Sequence, residues 1–182
     1  MTARPANPLA TITGPPPSGP SIIAALKDAK VGIVLSVPDI VTSAGLLFPI
    51  AGDAGFRLIR VCKEDEAVGI SAGLSYSAER AILLIQYTGL LDSINAVRAV
   101  AVGYKMPIVF MVGLLEKEPG VPPSQSALYG IRIVEPILEA MGIEHHLIET
   151  QADVVRIRPA IEAAYSLSRP TVLLIGQRPL AS

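Results

Sequence analysis

The sequence predicts an α/β fold: a single three-layer domain in which a parallel six-stranded sheet carries helices on both faces. Three observations point there. Short apolar runs of strand length alternate regularly with segments whose small apolar residues recur at helical spacing. Runs such as Ala81-Ile82-Leu83-Leu84-Ile85 are apolar at successive positions, as a strand buried on both faces requires. The chain has 182 residues, enough for one domain with a substantial core and not comfortably two.

Residues 1–20 hold six prolines and a single charge, Arg4, and are read as a Pro-rich mobile arm; the domain proper runs over 21–182. Ser21 caps a helix over 22–29. A first strand spans 31–37, and a helix follows from Asp39 or Ile40 to about Phe48. The second strand covers 56–62, and a helix over 64–78 comes after it. The third strand is 81–86, with a helix from Leu90 or Asp92 to Val102. The fourth strand covers 107–112, then a loop rich in Pro and Gly runs to about Ser126. A helix over 131–141 contains Pro136, which belongs near its start. The fifth strand is 144–148. The helix over 152–167 contains Pro159, which demands a kink or a later start. The last strand is 171–175.

Bulk composition excludes several classes. Hydrophobic residues make up 51% of the chain and charged residues only 17%, with a mean hydropathy of +0.50. No apolar run approaches the ~20 residues of a membrane span, so no membrane role is expected. The surplus instead fits a doubly covered sheet together with a buried subunit interface. A net charge of −1, without a basic cluster, leaves no electrostatic footprint for nucleic acid. The lone cysteine, Cys62, precludes an internal disulfide and fits a reducing, cytoplasmic setting. It is read as a small buried hydrophobe. His145 and His146 are adjacent on a strand, so they face opposite sides and do not form a joint metal site.

Candidate chemistry gathers where strands hand over to helices, because groups at the carboxyl ends of strands line the ligand crevice of an open α/β sheet. Lys63-Glu64-Asp65-Glu66 follows the second strand; any of its carboxylates can complement a helix N-terminus, and Glu64 can equally be a carboxylate at the mouth of a site. Ser36-Val37-Pro38-Asp39 ends the first strand, where Pro38 keeps Val37 extended and Asp39 can cap the next helix. Gln86-Tyr87-Thr88-Gly89 ends the third, where Gly89 permits a tight turn or a close approach of backbone to ligand.

Those pieces, with Glu64 to Gly73, Gln86 to Ala96 and Tyr104-Lys105-Met106-Pro107, occur in order between Ile22 and Leu174. Together they resemble the pyrimidine-binding (Pyr) domain of thiamine-diphosphate enzymes, and most nearly that of sulfopyruvate and phosphonopyruvate decarboxylases. The resemblance implies that Glu64 hydrogen-bonds the cofactor's pyrimidine N1′ and is catalytic and cofactor-binding, partly buried with its pKa raised. It implies a second active-site carboxylate in Asp39, which assists protonation and product release. Gln86, Thr88 and Gly89 line the cofactor, while Tyr87, Lys117 and Gln125 face the substrate.

The pattern also departs from its relatives. Tyr87 and Thr88 stand where those enzymes carry Asn and Ser, and Leu91 and Asp92 where they carry Gly and Asn. The arginine that would pair with a sulfonate or phosphonate is missing after the fourth strand, where Lys117 offers a point charge without a bidentate fork. The diphosphate-binding (PP) motif, Gly-Asp-Gly with asparagines downstream, has only Gly52-Asp53-Ala54-Gly55 as an imitation, so the chain itself supplies no metal ligand. The resemblance therefore implies an α subunit that is active only with a PP-domain β subunit on a separate chain, in an α2β2 or larger assembly. That partner would bind Mg2+ with the thiamine diphosphate, and the reaction would convert a 2-oxo acid to CO2 and an aldehyde. Carboligation of the acetolactate-synthase type, or a non-catalytic interaction subunit, are the alternatives.

Overall fold

Four apolar segments form the middle of the sheet in the computed structural model, which describes residues 14–181. These are β1 (Ile33–Ser36), β3 (Ala81–Gln86), β4 (Val109–Gly113) and β6 (Thr171–Ile175), buried almost throughout. The edges are β2 (Arg57–Arg60) and β5 (Glu144–Ile148), whose charged and imidazole side chains tolerate partial exposure and blunt the sheet against further pairing. All pairings are parallel and the order is β2-β1-β3-β4-β6-β5, the six-stranded α/β sheet that the sequence predicts.

Alternation along the central strands sends side chains into two separate cores. Ile82 and Leu84 of β3 join one face with α1 (Gly19–Asp28) and α8 (Ile157–Leu167). Leu83 and Ile85 join the other, with α3 (Glu64–Tyr76) and α7 (Val134–Ala140). Full burial of a Leu or Ile contributes roughly 1.5–3 kcal/mol, so the two cores together hold the three layers. Tyr165 of α8 ties a helix to the start of β3: its hydroxyl accepts from Ala81 N at 2.9 Å and lies 3.2 Å from Ala81 O. Burial pushes that phenol's pKa up, and the Arg80 guanidinium lies 4.8 Å from the ring centre.

The element boundaries differ from expectation in instructive places. After β1 the chain does not enter a regular helix. It makes a π-helical turn over Ser43–Leu47, and then the short α2 (Phe48–Ala51). After β3 the helix α4 (Tyr87–Asp92) starts at once, so Gly89 sits in a helical turn rather than in a tight turn before one. Beyond it come α5 (Ile94–Ala96) and a π-helical stretch, Val97–Val102. The short α6 (Tyr129–Arg132) precedes α7. Pro136 is the third residue of α7 and Pro159 the third of α8, where a missing N–H removes no intrahelical bond. A 3-10 segment, Gln151–Arg156, supplies the turns ahead of α8, so Pro159 marks a later start and not a kink.

Residues 1–13 of the expected arm lie outside the described residues. The rest of it is fixed. Gln151 N donates to Pro15 O at 2.9 Å, Ser18 N donates to Gln151 Oε1 at 2.7 Å, and Leu180 N donates to Pro17 O at 2.9 Å. Helix α1 thus begins at Gly19 with Ser18 as its cap, ahead of the expected Ser21. Among the described residues, no helix is long and apolar enough to cross a membrane.

Candidate functional site

The direction in which the chain leaves each strand creates the site. From β1 it turns to the face carrying α1 and α8, where Leu46, Leu47 and Ile50 are buried. From β3 it turns to the opposite face, where Leu90 of α4 is buried. Neighbouring strands whose chains diverge in this way open a crevice at their carboxyl ends, the switch point at which open α/β sheets bind ligands. Ser36 Oγ fastens the two rims by donating to Leu84 O at 2.7 Å.

Glu64 opens α3, which leaves edge strand β2 on the same side as α4. Its half-buried side chain lies directly across Gly89. A Cβ added at Gly89 would stand 2.0 Å from Glu64 Oε1, 2.2 Å from Cδ and 2.5 Å from Cγ. The close approach that Gly89 permits is therefore that of the Glu64 carboxylate. Its two acidic neighbours do different work. Glu66 Oε2 accepts from Cys62 N at 3.0 Å and Lys63 N at 3.4 Å, satisfying donors ahead of the helix. Asp65 accepts from Glu66 N at 2.9 Å, and Lys63 Nζ joins the two helices, 3.9 Å from Asp65 and 3.5 Å from Asp92. Capping of α3 thus falls to Glu66, and Glu64 makes no capping bond.

Thr88 Oγ1 donates to Gln86 Oε1 at 2.8 Å, fixing the amide of Gln86 at the end of β3 beside Gly89. Tyr87, expected to face substrate, lies against α6: a Cβ at Gly130 would stand 2.8 Å from its ring and 3.3 Å from its hydroxyl.

Asp39 is buried on the other rim. Its Oδ1 accepts from Val41 N at 2.6 Å and Thr42 N at 3.1 Å, and its Oδ2 accepts from Thr42 Oγ1. Burial raises its pKa, with the Thr42 and Val41 donors pulling the other way. The carboxyl therefore does cap the turn that follows, while reaching the end of β4. A Cβ at Gly113 would lie 3.0 Å from Asp39 Oδ1 and 2.8 Å from Val41 Cβ.

Two residues expected to face substrate are otherwise engaged or exposed. The Lys117 ammonium is buried, forms an ion pair with Glu149 and donates to Glu118 O at 2.9 Å. A buried ammonium requires such a partner, so Lys117 is not a free charge for an anion. Gln125 is exposed in the 3-10 turn Pro123–Gln125, within a loop closed by Glu118, which accepts from Ser126 Oγ and Ala127 N. Cys62 is exposed rather than buried, because it follows an edge strand. His146 lies 3.1 Å from Glu144. Among the described residues, no group of three or more His, Cys, Asp or Glu side chains could hold a metal ion.

Sequence reasoning did not single out Val41, Gly113 or the Lys117–Glu149 pair. Gly113 carried a usable signal, a glycine ending an apolar strand, whereas the partner of Lys117 lies at the end of a different strand and left none.

No protein-family model matches the chain. It is similar to the sulfopyruvate decarboxylase α subunit of Methanocaldococcus jannaschii, 28% identical over 159 residues that cover 85% of this chain and 90% of that protein. The α subunit of Methanococcus maripaludis is 26% identical over 161 residues, 85% of this chain and 92% of the relative. The sulfopyruvate decarboxylase of Methanosarcina acetivorans is 27% identical over 137 residues, 72% of this chain but only 33% of that longer protein.

Proposed function

We propose that this chain is the α subunit of a decarboxylase that acts on a short 2-oxo acid with thiamine diphosphate, in a site completed by a second polypeptide. The observation that carries the reading is the Glu64 carboxylate laid across Gly89 at a switch-point crevice. A carboxylate there fits the cofactor's aminopyrimidine, whose N1′ needs a hydrogen-bond partner of that kind. Bound thiamine diphosphate would supply the electron sink for loss of CO2. Glu64 holds or gives up the proton at N1′. Gln86, with its carbonyl oxygen already engaged by Thr88, keeps its amide N–H groups as the donors it can offer a ligand. Asp39, whose pKa is raised by burial, is a proton carrier on the opposite rim.

Similarity to α subunits over most of the chain supports a partner subunit. So does the apolar surface beside α3, where Tyr76 is 82% exposed and Tyr104 75% exposed around Ala72, Val100 and Met106. The partner would hold the diphosphate and Mg2+.

The test starts from the chain purified out of its native cells with any stoichiometric companion. The pair, supplied with thiamine diphosphate and Mg2+, is assayed for CO2 and aldehyde from sulfopyruvate and pyruvate. The expected result is turnover that falls on the order of 100-fold or more in Glu64→Gln. Full activity in that variant, or a companion without Gly-Asp-Gly and downstream asparagines, would overturn the reading.

A further inference from the structure

The sheet has a second divergence of the same kind. Strand β4 sends its chain to α7, packed on the α3 face. Strand β6, its neighbour, sends its chain to the other side, where Leu180 pairs with Pro17 and Ser18 ahead of α1. Between their carboxyl ends lies a cleft of about 200 Å³ lined by Val41, Leu114, Glu116, Lys117, Gln177 and Arg178, among others. Val41 lies two residues beyond Asp39, so the cleft adjoins the rim of the first crevice.

The charges in this cleft are unevenly satisfied. Lys117 is neutralised by Glu149, and Gln177 Nε2 donates to Glu149 O at 3.0 Å. Arg178 and Glu116 make no ion pair among the described residues. Arg178, exposed at the cleft, is therefore a cation free to meet a ligand beside the apolar side chains of Val41 and Leu114.

We propose that this cleft is an anion subsite that takes the distal acidic group of a short dianionic 2-oxo acid, with the Arg178 guanidinium as its ligand. The proposal rests on the reading that decarboxylation occurs at the first crevice. Strands β3 and β6 are two sheet spacings apart, about 10 Å, a gap that a three-carbon acid and an arginine side chain can bridge between them. A guanidinium fork matches paired sulfonate or carboxylate oxygens, which the buried Lys117 does not offer. Sulfopyruvate, named for the relatives, has such a second anion. The Glu116 carboxylate also lines the cleft and works against an anion there.

The experiment has two arms. Binding of sulfoacetate to the full chain, with or without its companion, is followed by NMR titration, with acetate and inorganic sulfate as controls. Wild type and Glu64→Gln should bind sulfoacetate more tightly than either control. Arg178→Met should weaken that binding about 5-fold, as loss of an ion pair at an exposed site does. Glu116→Gln should tighten it. In the companion-bound enzyme, Arg178→Met should raise KM for sulfopyruvate by a similar factor while leaving kcat/KM for pyruvate unchanged. Arg178-dependent binding without decarboxylation would sink the proposed function and leave the anion subsite standing. Sulfoacetate binding that is indifferent to Arg178, or equal loss with both substrates, would overturn the subsite.

Discussion

Gly89→Ala separates the position of the Glu64 carboxylate from its chemistry. The new methyl would stand 2.0 Å from Oε1, and ordinary contact starts near 3.4 Å, so the carboxylate must retreat by at least about 1.4 Å. The atoms in its way are the far end of the Glu64 side chain, with no backbone among them. Gly89 has no left-handed φ and lies within α4, so the backbone accepts alanine. Helix propensity alone favours Ala by about 1 kcal/mol, which on a domain of this size raises Tm by roughly 2–4 °C. A misplacement of about 1 Å costs on the order of 100-fold in rate, equivalent to about 2.7 kcal/mol in the barrier. The variant should therefore hold or gain Tm in a thermal melt while its companion-bound kcat falls about 100-fold, close to Glu64→Gln. Activity within threefold of wild type at unchanged Tm would refute the claim that this contact sets the catalytic carboxylate.

Three further outcomes follow from the geometry. Asp39 has its pKa raised by burial, so the folded state holds its proton more tightly than the unfolded chain. Its contribution to stability is full below the ordinary value of 3.8 and is lost as pH rises through the folded value. Urea melts from pH 3.5 upward, with wild type compared against Asp39→Asn, should show wild type losing ground over that window; parallel curves would contradict it. Lys117→Met should cost about 3–5 kcal/mol in the same melts because it strands Glu149, and Lys117→Met with Glu149→Leu should recover most of that loss. Additive losses in the double variant would argue against a coupled pair. Tyr165→Phe deprives the Ala81 backbone of its side-chain partner and should cost about 1–3 kcal/mol without a change in KM; a KM change would show that the β3 anchor reaches the site.

The layered fold was legible because four strands are apolar on both faces and each is followed by helical spacing. Strand order was not: periodicity says which segments are strands, but nothing in Thr171–Ile175 says that it lies between β4 and β5. The same gap explains the misreading of Cys62, whose exposure depends on β2 being an edge. Glu64 could be singled out among three acids only by resemblance. The structure separates them by what each carboxylate touches: Glu66 meets the backbone ahead of the helix, Asp65 meets the helix N-terminus and the Lys63 ammonium, and Glu64 lies over Gly89. Residues whose partners lie far along the chain stayed hidden. Lys117 looked like a surface cation until Glu149 at the end of β5 neutralised it, and Arg178 follows the last strand, outside every motif.

The position of β6 also bears on how the chain can be made. Val109 of β4 pairs with Thr171 and Glu144 of β5 pairs with the same residue, so a strand that leaves the ribosome after both of its neighbours takes the place between them. Until it arrives, the wholly apolar edge of β4 has no neighbour on that side, and β5 has no sheet to join. Early termination would thus remove the keystone rather than trim a border, leaving an unpaired hydrophobic edge of the kind that drives aggregation during synthesis.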